Sequence, residues 1–333
     1  MILAGDIGGT KTVLALFPDE VNMQRPSHEA TFSSSNYDSL EAVITDFLKM
    51  TDVGGTLSRL RCACFGVAGP VVKNRARITN LPWVIDAAAI GQELDLEVYL
   101  LNDLEAIATA VPHLGPADLV TINEGRVDPH GAIAVIAPGT GLGEAFLVWN
   151  GRRHRAYPSE GGHASFAPRT EVQRDLLAYL DTRLDHVSFE RVCSGKGLPN
   201  IYRFLKHSRR YVEPDWLRQE LANVADPTPV IVNTALSKKA DICVAVLDLF
   251  INILGVEAGN MALKLLATGG VYLAGGIPPR ILTQLQDGNF MTNFCDKGRF
   301  ASLLARIPIH VIINPQAALH GAAYHGMEMM HGE

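Results

Sequence analysis

Ile2-Leu3-Ala4-Gly5-Asp6-Ile7-Gly8-Gly9-Thr10-Lys11-Thr12 carries an apolar run into a carboxylate, a glycine pair and a hydroxyl, and Val13-Leu14-Ala15-Leu16-Phe17 follows at once. The pattern predicts two strands joined by a tight glycine turn. Glycines there remove the Cβ atoms that would keep another group's oxygens off the backbone N–H groups. Successive N–H groups in such a turn form an anion-binding concavity. A carboxylate beside an anion site makes sense where a cation accompanies the anion, and Mg²⁺ on a nucleotide phosphate is the common case. Taken alone, the segment reads equally well as a plain hairpin.

A second segment of the same kind changes the balance. Ile136-Ala137-Pro138-Gly139-Thr140-Gly141-Leu142-Gly143 lies between the strand-like runs Ala132–Val135 and Ala145–Val148. Two hairpins with Gly/Thr turns, one in each half, imply a duplicated architecture with a phosphate held between the halves. Neither is a Walker loop, because Thr10 stands where that loop requires glycine before Lys11-Thr12. Neither is a dinucleotide fingerprint, because the glycines join two strands and do not open a helix.

The chain has 333 residues and a formal net charge of −6, which argues against nucleic acid or an anionic membrane as the main partner. Its five cysteines, Cys62, Cys64, Cys193, Cys243 and Cys295, are few and mostly embedded in apolar runs, as expected of reduced thiols in a cytoplasmic protein. Cys62 and Cys64 lie two apart on an expected strand, share a face and read as core. No signal peptide is expected, because Asp6 interrupts any apolar leader. The longest apolar stretch, 242–266, holds Asp248, Asn252, Glu257 and Lys264 and reads as a buried packing helix, with no membrane span.

Strands are expected near 2–6, 12–17, 62–68, 97–101, 118–121, 132–137, 143–148, 270–274 and 308–313. Helices are expected near 38–50, 86–93, 103–111, 171–183, 213–224, 240–266, 278–286 and 317–328. This alternation predicts α/β layers on a mainly buried sheet. The Pro- and Gly-containing stretch 111–116 reads as the connection between halves. The expected division is a small α/β domain of 1–113 plus 315–333 and a large one of 114–314 with a helical insertion from 170 to 264. Small residues Gly255, Ala258, Gly259 and Ala262 in that insertion make a homodimer the expected assembly.

Four further segments carry groups that chemistry can use. Val98–Leu101 runs into Asn102-Asp103, where a strand's carboxyl end meets a helix, the usual place for ligands in α/β sheets. Asp103 there can take a proton from a hydroxyl while Asn102 grips a neighbouring one; an ordinary helix cap accounts for the pair equally well. Glu160-Gly161-Gly162-His163 can read two hydroxyls of one polyol, ligate a metal, or be a surface turn. Glu190 lies at a helix start for which Ser188 is a candidate cap. Ala274-Gly275-Gly276-Ile277 closes a buried strand, and a flat ring can rest on its bare backbone.

Together these segments resemble a bacterial-type glucokinase of the actin-like sugar-kinase superfamily, in the family's order from residue 2 to about 325. Asp6-Ile7-Gly8-Gly9-Thr10 is similar to the first phosphate motif, Ala137–Gly143 to the second, and Ala274–Ile277 to the adenosine motif. Leu101-Asn102-Asp103 is similar to the segment with the catalytic aspartate. Glu160–His163 and Glu190-Arg191-Val192 with Ser194-Gly195 are similar to the sugar-binding segments. The resemblance implies a two-domain actin-like ATPase (ribonuclease H-like) α/β fold with a cleft between the lobes, and phosphorylation of D-glucose by ATP at the 6-hydroxyl. It implies Asp103 as base, with Asn102, Glu160, His163 and Glu190 on the sugar. It also implies Gly5 to Thr10, Gly139, Thr140, Gly141, Gly275 and Gly276 on the nucleotide, and Asp6 near Mg²⁺.

The chain departs from the pattern at Lys11, Pro138 and Glu144, the last placing an acid close to the second phosphate loop. It lacks the Cys-rich zinc motif that ROK-type relatives carry after their Gly-His. That makes His163 a sugar contact and no metal ligand. The competing readings are a kinase for another hexose, a sugar-sensing regulator on the same fold, and an actin-like ATPase of assembly. A substrate panel, a gel shift and sedimentation of polymer separate them.

Overall fold

The computed structural model describes residues 1–18, 25–51, 59–78 and 81–331. The chain forms two compact units: residues 1–117 with 155–158 and 314–333, and residues 118–154 with 159–313.

The first unit is built on β1 (Ile2–Ile7), β2 (Lys11–Phe17), β3 (His28–Ser33), β4 (Cys62–Val67) and, after a small three-stranded sheet of β5 (Val71–Val72), β6 (Arg75–Arg77) and β7 (Val84–Asp86), on β8 (Glu97–Asn102). The main sheet runs β3-β2-β1-β4-β8, with β1, β4 and β8 parallel and β2 and β3 antiparallel. The central strands are near-continuous apolar runs because both faces are covered. Leu3 and Ile7 point to α1 (Leu40–Thr51) and α2 (Ala87–Leu94); Ile2, Ala4, Cys62 and Cys64 point to α3 (Asp103–Ala110) and the C-terminal helix Ala317–Met330. Cys62 and Cys64 therefore do share a core face, and all five cysteines are free thiols.

The second unit carries β9 (Leu119–Asn123), β10 (Ile133–Pro138) and β11 (Leu142–Trp149). The chain continues through β12 (His154–Ser159) to helices α4 (Glu171–Asp181), α5 (Leu198–His207), α6 (Asp215–Ala222), α7 (Thr228–Leu236) and α8 (Asp241–Leu265). β13 (Gly270–Leu273), α9 (Leu282–Leu285), α10 (Asn289–Cys295), α11 (Ala301–Leu304) and β14 (Ile309–Ile312) complete it. Its sheet repeats the first: the hairpin β10–β11 is antiparallel, β13 runs parallel beside β10, and β14 parallel beside β13. The order β11-β10-β13-β14 thus matches β2-β1-β4-β8, as a duplicated architecture requires. α8 is long and apolar enough to cross a membrane by composition, yet 78% of its most apolar window is buried, so it is the core helix of this unit.

The expected strands all form. β3, β12 and the small sheet were not expected; β12 is an edge strand with no buried residue and is interrupted by Pro158. β3 is an exposed edge strand with polar residues on most positions, and the small sheet's strands are two or three residues long, too short for a period to show. Lys73 and Asn74, both at positive φ, turn β5 into β6 as a tight hairpin demands. Helices α5, α7, α10 and α11 were also missed, and the helix expected over 278–286 divides into a 3₁₀ turn, Pro278–Ile281, and α9. Ser188 makes no side-chain cap for the 3₁₀ turn Phe189–Arg191. The small-residue stripe of α8 is used internally. Cβ atoms on Gly255 and Gly259 would meet the Phe290 and Phe294 carbonyls of α10 at 2.6 and 2.5 Å. The stripe therefore gives no ground for a dimer.

α3 and the C-terminal helix pack closely at Gly321, where a Cβ would overlap the Ala106 carbonyl oxygen. Gly321→Ala should lower the unfolding free energy by about 1–3 kcal/mol, because backbone has no rotamer with which to yield. Urea denaturation reads this, and a variant as stable as the parent would show that the two helices part freely.

Candidate functional site

In the first unit, three parallel strands end at nearly the same level. Asp6 on β1 is abreast of Gly66 on β4, and Gly66 is abreast of Leu101 on β8, so Asn102 ends β8 at the sheet's carboxyl edge and Asp103 lies just beyond it. Gly66 puts no side chain between the outer two strands. Asn102 caps α3, its Oδ1 accepting the Glu105 N–H at 2.5 Å, and Asp103 Oδ1 accepts the Leu104 N–H at 2.9 Å. The capping reading of Asn102 thus holds. Asn74 anchors the far side of β8, donating to the Val98 carbonyl at 3.2 Å and accepting the Leu100 N–H at 3.1 Å.

Burial raises both carboxyls. Asp103 is reached by solvent but closely walled by protein, and its pKa stands above the usual aspartate value, with N–H donors opposing the rise. Asp6 is raised to about 6, first by burial and then by the charge of Asp103, with Lys11 pulling the other way. Two acids thus face one another without a full counter-charge, the setting a bound cation relieves.

The β1–β2 turn is braced from beneath. Gly8 N–H donates to the Lys11 carbonyl at 2.9 Å, and Ser34 Oγ donates to the Gly8 carbonyl at 2.8 Å while meeting Thr12 Oγ1 at 2.9 Å. Among the described residues, the Gly9 and Thr10 N–H groups have no protein acceptor. Gly5 and Ile7 are buried strand residues; a Cβ on Gly5 would meet Phe65 and Leu14 at 2.7 and 2.8 Å. The open donors therefore belong to Gly9 and Thr10. Ser34 was missed, and the run Ser33-Ser34-Ser35 after an alternating stretch was its only signal.

The second unit repeats the device. Gly139 N–H donates to the Gly141 carbonyl at 2.9 Å, leaving the Thr140 and Gly141 N–H groups without a protein acceptor among the described residues. Gly195 and Lys196 N–H groups donate to the Gly139 and Thr140 carbonyls, tying segment 194–197 to the turn. Gly139, Thr140 and Gly276 line one pocket of about 830 Å³ together with Lys196, Asn200 and Arg280. Gly275 serves it differently: its φ is +82° and a Cβ would stand 2.7 Å from the Pro138 carbonyl, so only glycine turns the chain there. Of the pocket residues, Asn200 was missed, although its helix α5 was legible in the apolar spacing of Leu198, Ile201, Tyr202 and Leu205 and in Pro199 at its first turn.

On the other side of the hairpin, Glu190 Oε2 accepts the Leu142 N–H at 3.1 Å, and a Cβ on Gly141 would run into that carboxylate. Glu160-Gly161-Gly162-His163 forms a 3₁₀ turn packed on the start of β11. Glu160 and His163 stand exposed, with Oε2 and Nε2 3.9 Å apart, and the His163 carbonyl is met by His186 Nε2 at 3.0 Å. Glu160, His163 and Glu190 are thus gathered around β11's first residues, presenting two carboxylates and an imidazole, a set suited to the hydroxyls of a polyol. No group of three or more His, Cys, Asp or Glu side chains with metal-ligand spacing occurs among the described residues.

A family model described as Glucokinase matches residues 3–329. The glucokinase of Nostoc sp. strain PCC 7120 is 41% identical to the chain, over 97% of the chain and 98% of that protein. Among solved structures, a glucokinase from an Antarctic psychrotroph superposes with a TM-score of 0.85 at 30% identity, covering 100% of this chain and 99% of that one. A glucokinase from Balamuthia mandrillaris in complex with glucose superposes at 0.76 with 21% identity, covering 98% and 93%, and speaks for the fold alone. The architecture is the two-domain actin-like ATPase fold.

The Asp6 carboxyl binds its proton more tightly in the folded chain than in the unfolded one, where 3.8 is usual. Its contribution to stability is therefore whole below about pH 4 and is lost as pH rises through about 6. Asp6→Asn should abolish that loss and be more stable than the parent at pH 7, on the order of 2 kcal/mol. Denaturation at pH 4 and pH 7 tests it, and an equal difference at both would refute it.

Proposed function

We infer the chemistry from one premise: the chain belongs to the glucokinase family, and it phosphorylates glucose at the expense of ATP. The residue roles proposed for it rest on one observation, the exposed, closely walled Asp103 carboxylate at the carboxyl edge of β1, β4 and β8 with its neighbour Asp6. Asp103 accepts a hydrogen bond from the glucose 6-hydroxyl and takes its proton as the new O–P bond forms. A base so placed contributes about 10²–10⁴-fold. Asn102, already committed to the α3 cap, holds the helix start that aims Asp103 and offers its amide N–H₂ to a neighbouring hydroxyl.

Glu160, His163 and Glu190 read the remaining hydroxyls. A polar set of this kind discriminates against sugars that lack a partner hydroxyl to the extent that bound sugar shields these groups from water, because a shielded group left unpaired is costly. The Gly9/Thr10 and Thr140/Gly141 N–H pairs donate to phosphate oxygens, and adenine lies against Gly276 in the 830 Å³ pocket. Lys196 and Arg280 on that pocket's wall favour the anionic end of the nucleotide.

Asp6 fits a Mg²⁺ carried by the nucleotide: it is an underneutralised carboxylate beside a phosphate turn, and such an ion takes most of its ligands from phosphate and water. Its charge would offset that of the phosphoryl group and of the two acids. The free, largely buried thiols fit a reducing compartment, which we take to be the cytoplasm.

Asp103→Ala should fold, retain ATP binding and lose at least about 10²-fold in kcat; near-parental turnover would remove Asp103 from the role. In the parent, kcat should fall on the acid side, at a pH above the ordinary aspartate range, because Asp103 must be ionised to accept the proton. Glu160→Gln and His163→Ala should raise the KM for glucose and leave that for ATP unchanged. A change confined to thermal stability would reduce this segment to a surface turn.

A further inference from the structure

Glu144 is a carboxylate in the second hairpin for which the reaction above has no use. It stands on β11 opposite Ile136 of β10, is 4% exposed, and its Oε1 has no hydrogen-bond partner. Its Oε2 lies against Gly161, where a Cβ atom would overlap it; a Cβ on Gly162 would likewise overlap the Leu142 carbonyl. Both glycines of the 160–163 turn therefore rest directly on β11, one on the Glu144 carboxyl and the other on main chain.

We propose that Glu144 is a positioning residue for this turn, its carboxyl group setting the height of Gly161 and thereby the placing of Glu160 and His163 on glucose. The proposal rests on the reading that the turn binds the sugar. It concerns a residue that touches neither substrate.

The neutral carboxyl is the form that does this. Glu257, fully buried on α8, faces Glu144 from below; its Oε2 accepts the Asn260 amide at 2.8 Å, and Lys264 Nζ stands 3.7 Å from an Oε1 that lacks a hydrogen bond. The Cys193 thiol is close to both acids and is itself pushed up by burial. Glu190 is held two residues away by the Leu142 N–H, and Glu160 and His163 are the charged groups of the turn itself. Glu144 is raised to about 7 by burial first and by Glu257 second, with Lys264 opposing. Two neighbouring buried carboxyls do not both ionise cheaply. Ionised, Glu144 needs water or a counter-charge, and drawing either to its Oε2 disturbs the contact with Gly161. One pH unit above about 7 the neutral fraction is about a tenth, and the apparent affinity for glucose falls by the same factor.

The test is glucose saturation at saturating ATP from pH 6 to 8.5 for the parent, Glu144→Gln and Glu144→Ala. In the parent, the KM for glucose should rise about ten-fold between pH 6 and 8 while the KM for ATP stays level. Glu144→Gln keeps the shape without a proton to lose, and its KM should stay low and flat. Glu144→Ala should show a raised KM at every pH. A flat parental profile, or Glu144→Gln tracking a sloping parent, overturns the proposal. If Glu160→Gln and His163→Ala leave the KM for glucose unchanged, the reading of the turn has failed; if they raise it and Glu144→Gln titrates like the parent, only the role of Glu144 has.

Discussion

A backbone N–H group can serve a phosphate only while no protein acceptor takes it and no side chain covers it. Both hairpins meet that demand in the same way. The first glycine of each turn closes the loop onto its own chain, Gly8 onto Lys11 and Gly139 onto Gly141, and the following two N–H groups are left bare. Such turns are weakly held on their own. Each is made rigid by a parallel strand beside its first arm, β4 beside β1 and β13 beside β10, and by a brace behind it, Ser34 in one case and segment 194–197 in the other. The cost of leaving donors unpaired is offset by burying near-continuous apolar strands on both faces of each sheet.

The acids follow from the same layout. Parallel strands that end together bring Asp6 and Asp103 to one edge, where protein density strips part of their hydration and each feels the other. A cation held there, or a proton taken from a substrate hydroxyl, would relieve that repulsion, as the proposed roles of Asp6 and Asp103 require. Glu144 and Glu257 show the same crowding of acids inside the second unit, where burial raises both carboxyls.

Glycine has three distinct duties here. At Gly276 it leaves a surface open; at Gly275 it permits a positive φ against the Pro138 carbonyl; at Gly5, Gly161 and Gly321 it makes room for a neighbour. The letter is the same in each case, and sequence alone does not tell these duties apart.

Sequence alone determined the two hairpins, the nine principal strands, the duplicated plan and the carboxylates at strand ends, because each is written in neighbouring residues: apolar runs, glycine pairs, a strand running into Asn-Asp. The edge strands β3 and β12, the small sheet and helices α5, α7, α10 and α11 escaped it; most are too short, too polar or too exposed to show a period, although α5 carries one in Leu198, Ile201, Tyr202 and Leu205. Only the tertiary structure decided that Ser34 braces a turn 26 residues away, that Asn200 joins Gly139 and Gly276 at one pocket, and that Glu144 lies beneath Gly161. These are contacts between segments distant in the chain. Their strength comes from burial and from charges brought together by folding, quantities that no local pattern of residues records.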